Sequence, residues 1–224
     1  MTNVSRRAFA FGFPAASIAA GWAVSARTGI AQAATAVSKS VVPTAQVRVG
    51  RFTVTALVDG FADMPFDYFP GWEPRQVEET ATALSAAKPG GVRFMFNQYL
   101  IDDGERLILV DTGPGGSMGQ TGQLGAALQS IGVRPQDIGA VIVTHLHADH
   151  IGGLVVGGRK NFPDADVYAD RRDVAYWTDP AKRAATPEYL KLSFDASAEL
   201  VRLYPNLQAT DGERESRAAC PSWT

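Results

Sequence analysis

At 224 residues the chain has room for one domain of ordinary size. With 46% hydrophobic and 20% charged residues it carries enough apolar material for a core and lacks the bias of a disordered chain. A net charge of −2 supplies no basic stripe for nucleic acid, and the single cysteine, Cys220, excludes an internal disulfide.

The chain opens on Arg6-Arg7, followed by an uncharged, Ala- and Gly-rich stretch from Ala8 to Ala26 and by the small residues of Ala31-Gln32-Ala33. This pattern resembles the twin-arginine signals of bacterial proteins exported already folded. It implies a signal peptide over 1–33, the twin-arginine export machinery as a partner, and a periplasmic or secreted protein. No stable membrane anchor is expected after cleavage. Residues 34–46 are small and polar and read as a flexible leader. The domain proper is expected over 47–215.

Arg51 to Val58 reads as a half-buried strand with Phe52, Val54, Ala56 and Val58 on its apolar face, ended by Asp59-Gly60. Met64 to Trp72 is rich in aromatics and proline and reads as a loop with large side chains. A short helix is expected over Gln76–Ala87, after Pro74 and before Pro89-Gly90-Gly91. Arg93–Ile101 and Glu105–Val110 form a hairpin about Asp102-Asp103-Gly104. The second strand runs directly into Asp111-Thr112-Gly113. Gln123–Ile131 is a helix candidate, and Ala140–Thr144 is a continuous apolar run suited to a strand buried on both faces. Short elements follow, a strand over Asp166–Ala169 and a helix over Arg171–Trp177. The longest helix is expected over Pro187–Tyr204. Hairpins first, then strands alternating with helices, predict an α+β layer fold.

All three histidines lie in one hexapeptide, His145-Leu146-His147-Ala148-Asp149-His150, at the end of the buried run 140–144. Neutral imidazoles and a carboxylate are the ligand set that suits zinc and similar divalent ions. In a turning segment His145 and His147 can point to one side while Asp149 and His150 swing to an adjacent position. One loop could therefore serve two metal ions.

The stretch Thr144–Gly153 resembles the signature of the metallo-β-lactamase superfamily, and Leu109–Gly113 is similar to that family's upstream motif. Val54–Gly60 and the run from Phe162 to Trp177 resemble most the methyl parathion hydrolase branch, with lactonases next. The resemblance covers roughly residues 48–210. It implies a four-layer αββα fold and a hydrolase holding two divalent metal ions, zinc in type, bridged by hydroxide. By position His145 and His147 would bind one ion, and Asp149 and His150 the other. Asp149 would also orient the attacking water as the catalytic residue, with Asp111 supporting the metal loop. The hydroxide would attack an ester, lactone or phosphotriester of a small-molecule substrate. Trp177 matches one aromatic member of the branch's substrate pocket, and Met118 stands in the loop that supplies another.

The family builds its site from both halves of its fold, and no histidine follows His150. The sequence is thus expected to represent the N-terminal half only, with an aberrant, disordered tail over 216–224 and no activity alone. Two other readings stay open: a non-catalytic metal-binding or interaction fragment, and a glyoxalase- or oxidoreductase-type member of the same superfamily.

Overall fold

The computed structural model describes residues 44–211. The expected signal peptide, most of the leader and the tail lie outside the described residues. The first strand, β1 (Thr44–Val49), already occupies the end of the expected leader. It is exposed along its length and pairs antiparallel with β2 (Phe52–Pro65) across Gly50-Arg51. Gly50 takes φ +61° in that tight turn, a conformation that costs glycine nothing. The polar composition of 44–46 concealed a strand because an edge strand needs no buried face.

Strand β2 departs from expectation in two ways. It runs through Asp59-Gly60 to Pro65, absorbing those residues as a bulge between Val58 and Gly60. Its more deeply buried side chains are Thr55 and Leu57, opposite in phase to the expected Val54, Ala56 and Val58, which are only half covered. Both faces carry apolar residues, so alternation alone could not pick the core side.

A single 3-10 turn (Phe66–Tyr68) and the aromatic loop lead into α1 (Pro74–Ala83). This helix stops four residues short of expectation, where Ser85 takes φ +58°. Next come β3 (Ala87–Lys88), β4 (Gly91–Asp102) and β5 (Leu107–Val110), with β4 and β5 forming the expected hairpin. Helix α2 (Leu124–Ser130) and β6 (Ile138–Ile142) complete the middle of the chain. The second part contains α3 (Ala148–Ile151), a small hairpin of β7 (Val155–Val156) and β8 (Arg159–Lys160), and β9 (Asp166–Asp170). It ends with α4 (Arg171–Trp177), α5 (Pro180–Ala185), α6 (Glu188–Leu203) and β10 (Gln208–Thr210).

The eight-stranded main sheet has the order β1-β2-β4-β5-β6-β9-β10, with β3 paired to β4. Its first part is antiparallel, whereas β5, β6, β9 and β10 pair parallel through helical crossovers. This is the expected α+β class. The helices cover one face. There Leu57, Leu109, Val141 and Val167 of the sheet meet Leu128 of α2, Ile151 of α3, Trp177 of α4 and Phe194 and Leu200 of α6. Each fully buried large side chain in this layer contributes roughly 1.5–3 kcal/mol. The opposite face carries a smaller cluster about Ile108 and Ala140.

Candidate functional site

The carboxyl ends of parallel strands converge on one edge of a sheet, and ligand sites in α/β arrangements form there. Here β5 delivers Asp111 and β6 delivers Thr144 and the histidine hexapeptide. Asp111 takes φ +57°, a strained conformation for a residue with a side chain, tolerated best by Asn and Asp. Three contacts hold it. Oδ1 accepts from the Thr144 backbone N–H at 2.8 Å, and Oδ2 accepts from the Thr144 hydroxyl at 2.7 Å and from His150 Nδ1 at 2.8 Å. Its own N–H donates to Ile142 O.

The hexapeptide is fastened from every side. Leu146 N–H donates to Asp173 Oδ2 of α4, and Ala148 N–H to Ser193 Oγ of α6. His150 O accepts from both the backbone and the hydroxyl of Thr112. The Gly152-Gly153 pair lets this segment lie directly on the Asp111–Pro114 turn. A Cβ at Gly152 would stand 2.3 Å from Pro114 O, and one at Gly153 would stand 2.2 Å from Thr112 O. The buried Asp59 braces the far side of the same turn. Its carboxylate accepts from Gly122 N–H and Leu124 N–H, fixing the start of α2.

These constraints gather the three imidazoles. The His145 ring lies 3.9 Å from that of His150 and 4.7 Å from that of His147, centroid to centroid. Because Asp111 takes His150 Nδ1, Nε2 is left facing Asp149 Oδ2 at 3.4 Å. Burial opposes a charge on His150, yet the Asp111 and Asp149 carboxylates outweigh it and push its pKa up to about 9. Burial, helped by the neighbouring imidazoles of His150 and His147, pulls the His145 pKa down. Burial also works against the Asp149 carboxylate, but the hydrogen bond from His150 holds its pKa below the usual range.

The donor chemistry of the cluster suits a divalent ion, and the Asp111 carboxylate fixes the orientation of the His150 ring through Nδ1. Among the described residues, however, no three His, Cys, Asp or Glu side chains gather around one point. The donors are brought together in place without converging as a three-ligand set.

A cavity of about 250 Å³ opens beside the cluster. His147, Asp149 and Met118 line it, with Tyr68, Phe94 and Phe96 as its aromatic wall. Trp177 does not line the cavity. Its ring meets His147 edge-on at 4.8 Å and packs on Phe194 at 4.7 Å, so it backs the His147 ring from within the core. Sequence reasoning missed Phe94 and Phe96. Their signal was alternation along β4, which puts both on the face of the buried Leu100. Asp173 and Ser193, which hold the loop's backbone, had no signal in the sequence.

A family model described as the metallo-beta-lactamase superfamily matches residues 92–217. The lactamase-like protein adaB of Aspergillus niger is 32% identical over 83 residues, 37% of this chain and 25% of its own. The exodeoxyribonuclease WalJ of Streptococcus pneumoniae is 32% identical over 76 residues, 34% of this chain and 26% of its own. Among solved structures, a hydrolase of the beta-lactamase superfamily, AbOPH, superposes with TM-score 0.70 at 27% identity, covering 77% of this chain and 62% of that one. AidC, a dizinc quorum-quenching lactonase solved with N-hexanoyl-L-homoserine as product, gives TM-score 0.67 at 25% identity, covering 76% and 62%. The chain thus spans about a quarter of the curated relatives and 62% of each of these two structures. The matched residues include the strand pair β4–β5, the Asp111 turn and the whole histidine loop, and on that footing the chain belongs to the metallo-β-lactamase superfamily.

Proposed function

We propose that this protein is a metal-dependent hydrolase acting on a small, largely apolar ester, lactone or phosphotriester. The observation that carries the reading is the loop 145–150, held by hydrogen bonds from α4 and α6, beside an aromatic-walled cavity that Asp149 and His147 help to line. His145 and His147 would hold one divalent ion, and Asp149 and His150 a second, zinc being the type that suits imidazole and carboxylate. Such a metal pair supplies a hydroxide nucleophile at neutral pH and stabilises charge on the attacked centre.

The protein's own residues have three tasks in this scheme. Asp111 fixes the His150 ring through Nδ1. Asp149, its carboxylate kept ionised by His150, accepts a hydrogen bond from the attacking water and so orients it. Tyr68, Phe94 and Phe96 exclude bulk water from the cavity and take the apolar part of the substrate. The described residues offer two ligands to each ion where three are usual in catalytic zinc sites, so uptake by these residues alone is expected to be weak. The twin-arginine reading of Arg6-Arg7 adds an exported location to the proposal.

The test is hydrolysis of a panel of p-nitrophenyl esters, γ-lactones and aryl phosphotriesters by protein isolated from its native cells. Asp149→Ala is expected to lower turnover on the preferred substrate by at least about 100-fold, in line with the loss of one positioned acid–base group. Undiminished turnover in that variant would refute the assignment.

A further inference from the structure

The three imidazoles of the loop are not held in the same way. His150 Nδ1 is taken by the Asp111 carboxylate at 2.8 Å, and His145 Nδ1 lies 3.2 Å from the Thr144 hydroxyl. Among the described residues, no hydrogen bond reaches a ring nitrogen of His147. Its ring meets two other rings instead, Trp177 at 4.8 Å and 80°, and His145 at 4.7 Å and 69°.

The backbone around His147 is pinned. Leu146 N–H donates to Asp173 Oδ2 and Ala148 N–H to Ser193 Oγ, while His147 O accepts from the N–H groups of His150 and Ile151. What remains free is the side chain. Rotation of an imidazole about its bond to Cβ is soft, with broad, roughly twofold wells. In a metal-binding histidine a hydrogen bond to the second ring nitrogen ordinarily fixes that rotation. For His147 the fixing falls to packing.

Trp177 is placed to supply it. This residue ends α4 and is 8% exposed. Its indole is itself wedged, by Phe194 of α6 at 4.7 Å and by Tyr176 edge-on at 5.0 Å. The edge-on meeting with His147 is a favoured geometry for aromatic pairs. Turning the imidazole away from it would press the ring into the indole or leave a gap beside it, and a close-packed interior resists both.

We propose that Trp177 is a positioning residue: its indole fixes the plane of the His147 imidazole, and with it the direction in which a ring nitrogen meets a metal ion. The consequence for metal rests on the metal-dependent reading above, whereas the orientation of the ring belongs to the metal-free chain. Packing sets a plane without choosing which nitrogen carries the proton. His147 is therefore the imidazole whose tautomer the metal itself selects, in contrast to His150, where Asp111 has already chosen.

The test begins without metal. In the full chain labelled with carbon-13 histidine, the ring signals of the three histidines are assigned from His145→Gln, His147→Gln and His150→Gln. The ring current of Trp177 should displace the His147 signals. In Trp177→Leu and Trp177→Met, the second keeping more of the lost volume, those signals should return towards the positions of a free imidazole and broaden, while the His150 signals stay. Zinc and cobalt affinity, read by chelator competition, should fall at least about tenfold in both variants, as for the loss of an orienting contact, and the visible cobalt spectrum should change. Trp177→Phe, which keeps a ring against His147, should restore the affinity and the spectrum. Leu128→Ala truncates the core at α2, away from the loop, and should alter neither the His147 signals nor the affinity. His147 signals that stay in place in both Trp177→Leu and Trp177→Met would overturn the proposal. So would a failure of Trp177→Phe to restore binding, or an equal loss of affinity in Leu128→Ala, since the effect would then be one of general stability. If the His147 signals move as expected and no form of the chain takes up metal, the metal reading fails while the hold of Trp177 on the ring stands.

Discussion

Asp111 shows how one residue can carry several structural demands. Its backbone sits in the left-handed region at φ +57°, where most side chains cost of order 1–3 kcal/mol. The carboxylate offsets that strain by accepting three hydrogen bonds that join β5, β6 and the histidine loop. Asparagine tolerates the same backbone and can still accept from Thr144. Asp111→Asn should therefore fold, yet it removes the charge that holds His150. We expect its metal affinity to fall about 10–100-fold, the usual effect of losing such an outer contact, read by competition with a chromophoric chelator. Unchanged affinity would mean that the His150 ring is held by something else. Gly152 makes the complementary point, since its missing Cβ is what allows the two loops to touch. Gly152→Ala meets Pro114 O and should destabilise the domain by about 1–3 kcal/mol in urea unfolding. A loss below about 0.5 kcal/mol would show that the loops can part without cost.

At the scale of elements, local signals were most legible where a single physical cause dominated. The β4–β5 hairpin followed from Asp102-Asp103-Gly104, whose carboxylates do accept from the turn's own N–H groups. Helix α4 occupies the residues expected of it, and in the structure Asp170 caps it by accepting from Arg172 N–H. The side-chain and backbone hydrogen bonds from Arg172 lower the Asp170 pKa to about 2 from its usual 3.8. A carboxylate with a depressed folded pKa contributes stability above its unfolded value and loses that contribution as pH falls through the folded one. The domain should thus weaken between about pH 4 and pH 2. The Asp170→Asn chain should lack that part of the slope when urea midpoints are compared at pH 5 and pH 3, and salt should reduce the difference. Identical slopes would exclude the cap as a source. Strand β2 was legible only in part. Both of its faces carry apolar residues, so burial was decided by the helices that pack on Leu57, which no local pattern encodes. Helix α5 was missed because its six residues bury nothing.

For the whole molecule, the chain's order places chemistry at the carboxyl ends of β5 and β6, and the hexapeptide announced itself because every histidine in the sequence lies within it. The aromatic wall was less legible. Tyr68, Phe94 and Phe96 come from two segments that meet only when β2 pairs with β4 over twelve residue pairs. Trp177, expected in the pocket, instead buttresses His147 from the core, because α4 packs on α6 through Phe194. The central claim is that the loop 145–150 binds a divalent metal through its imidazoles and Asp149. The most direct measurement is a titration of the full chain with zinc and with cobalt, followed by chelator competition and by the cobalt absorption spectrum. The account predicts uptake that weakens at least about tenfold in His147→Ala and is abolished in a His145→Ala/His147→Ala/His150→Ala triple variant. Uptake that persists unchanged in the triple variant, or none in the parent chain, would contradict it.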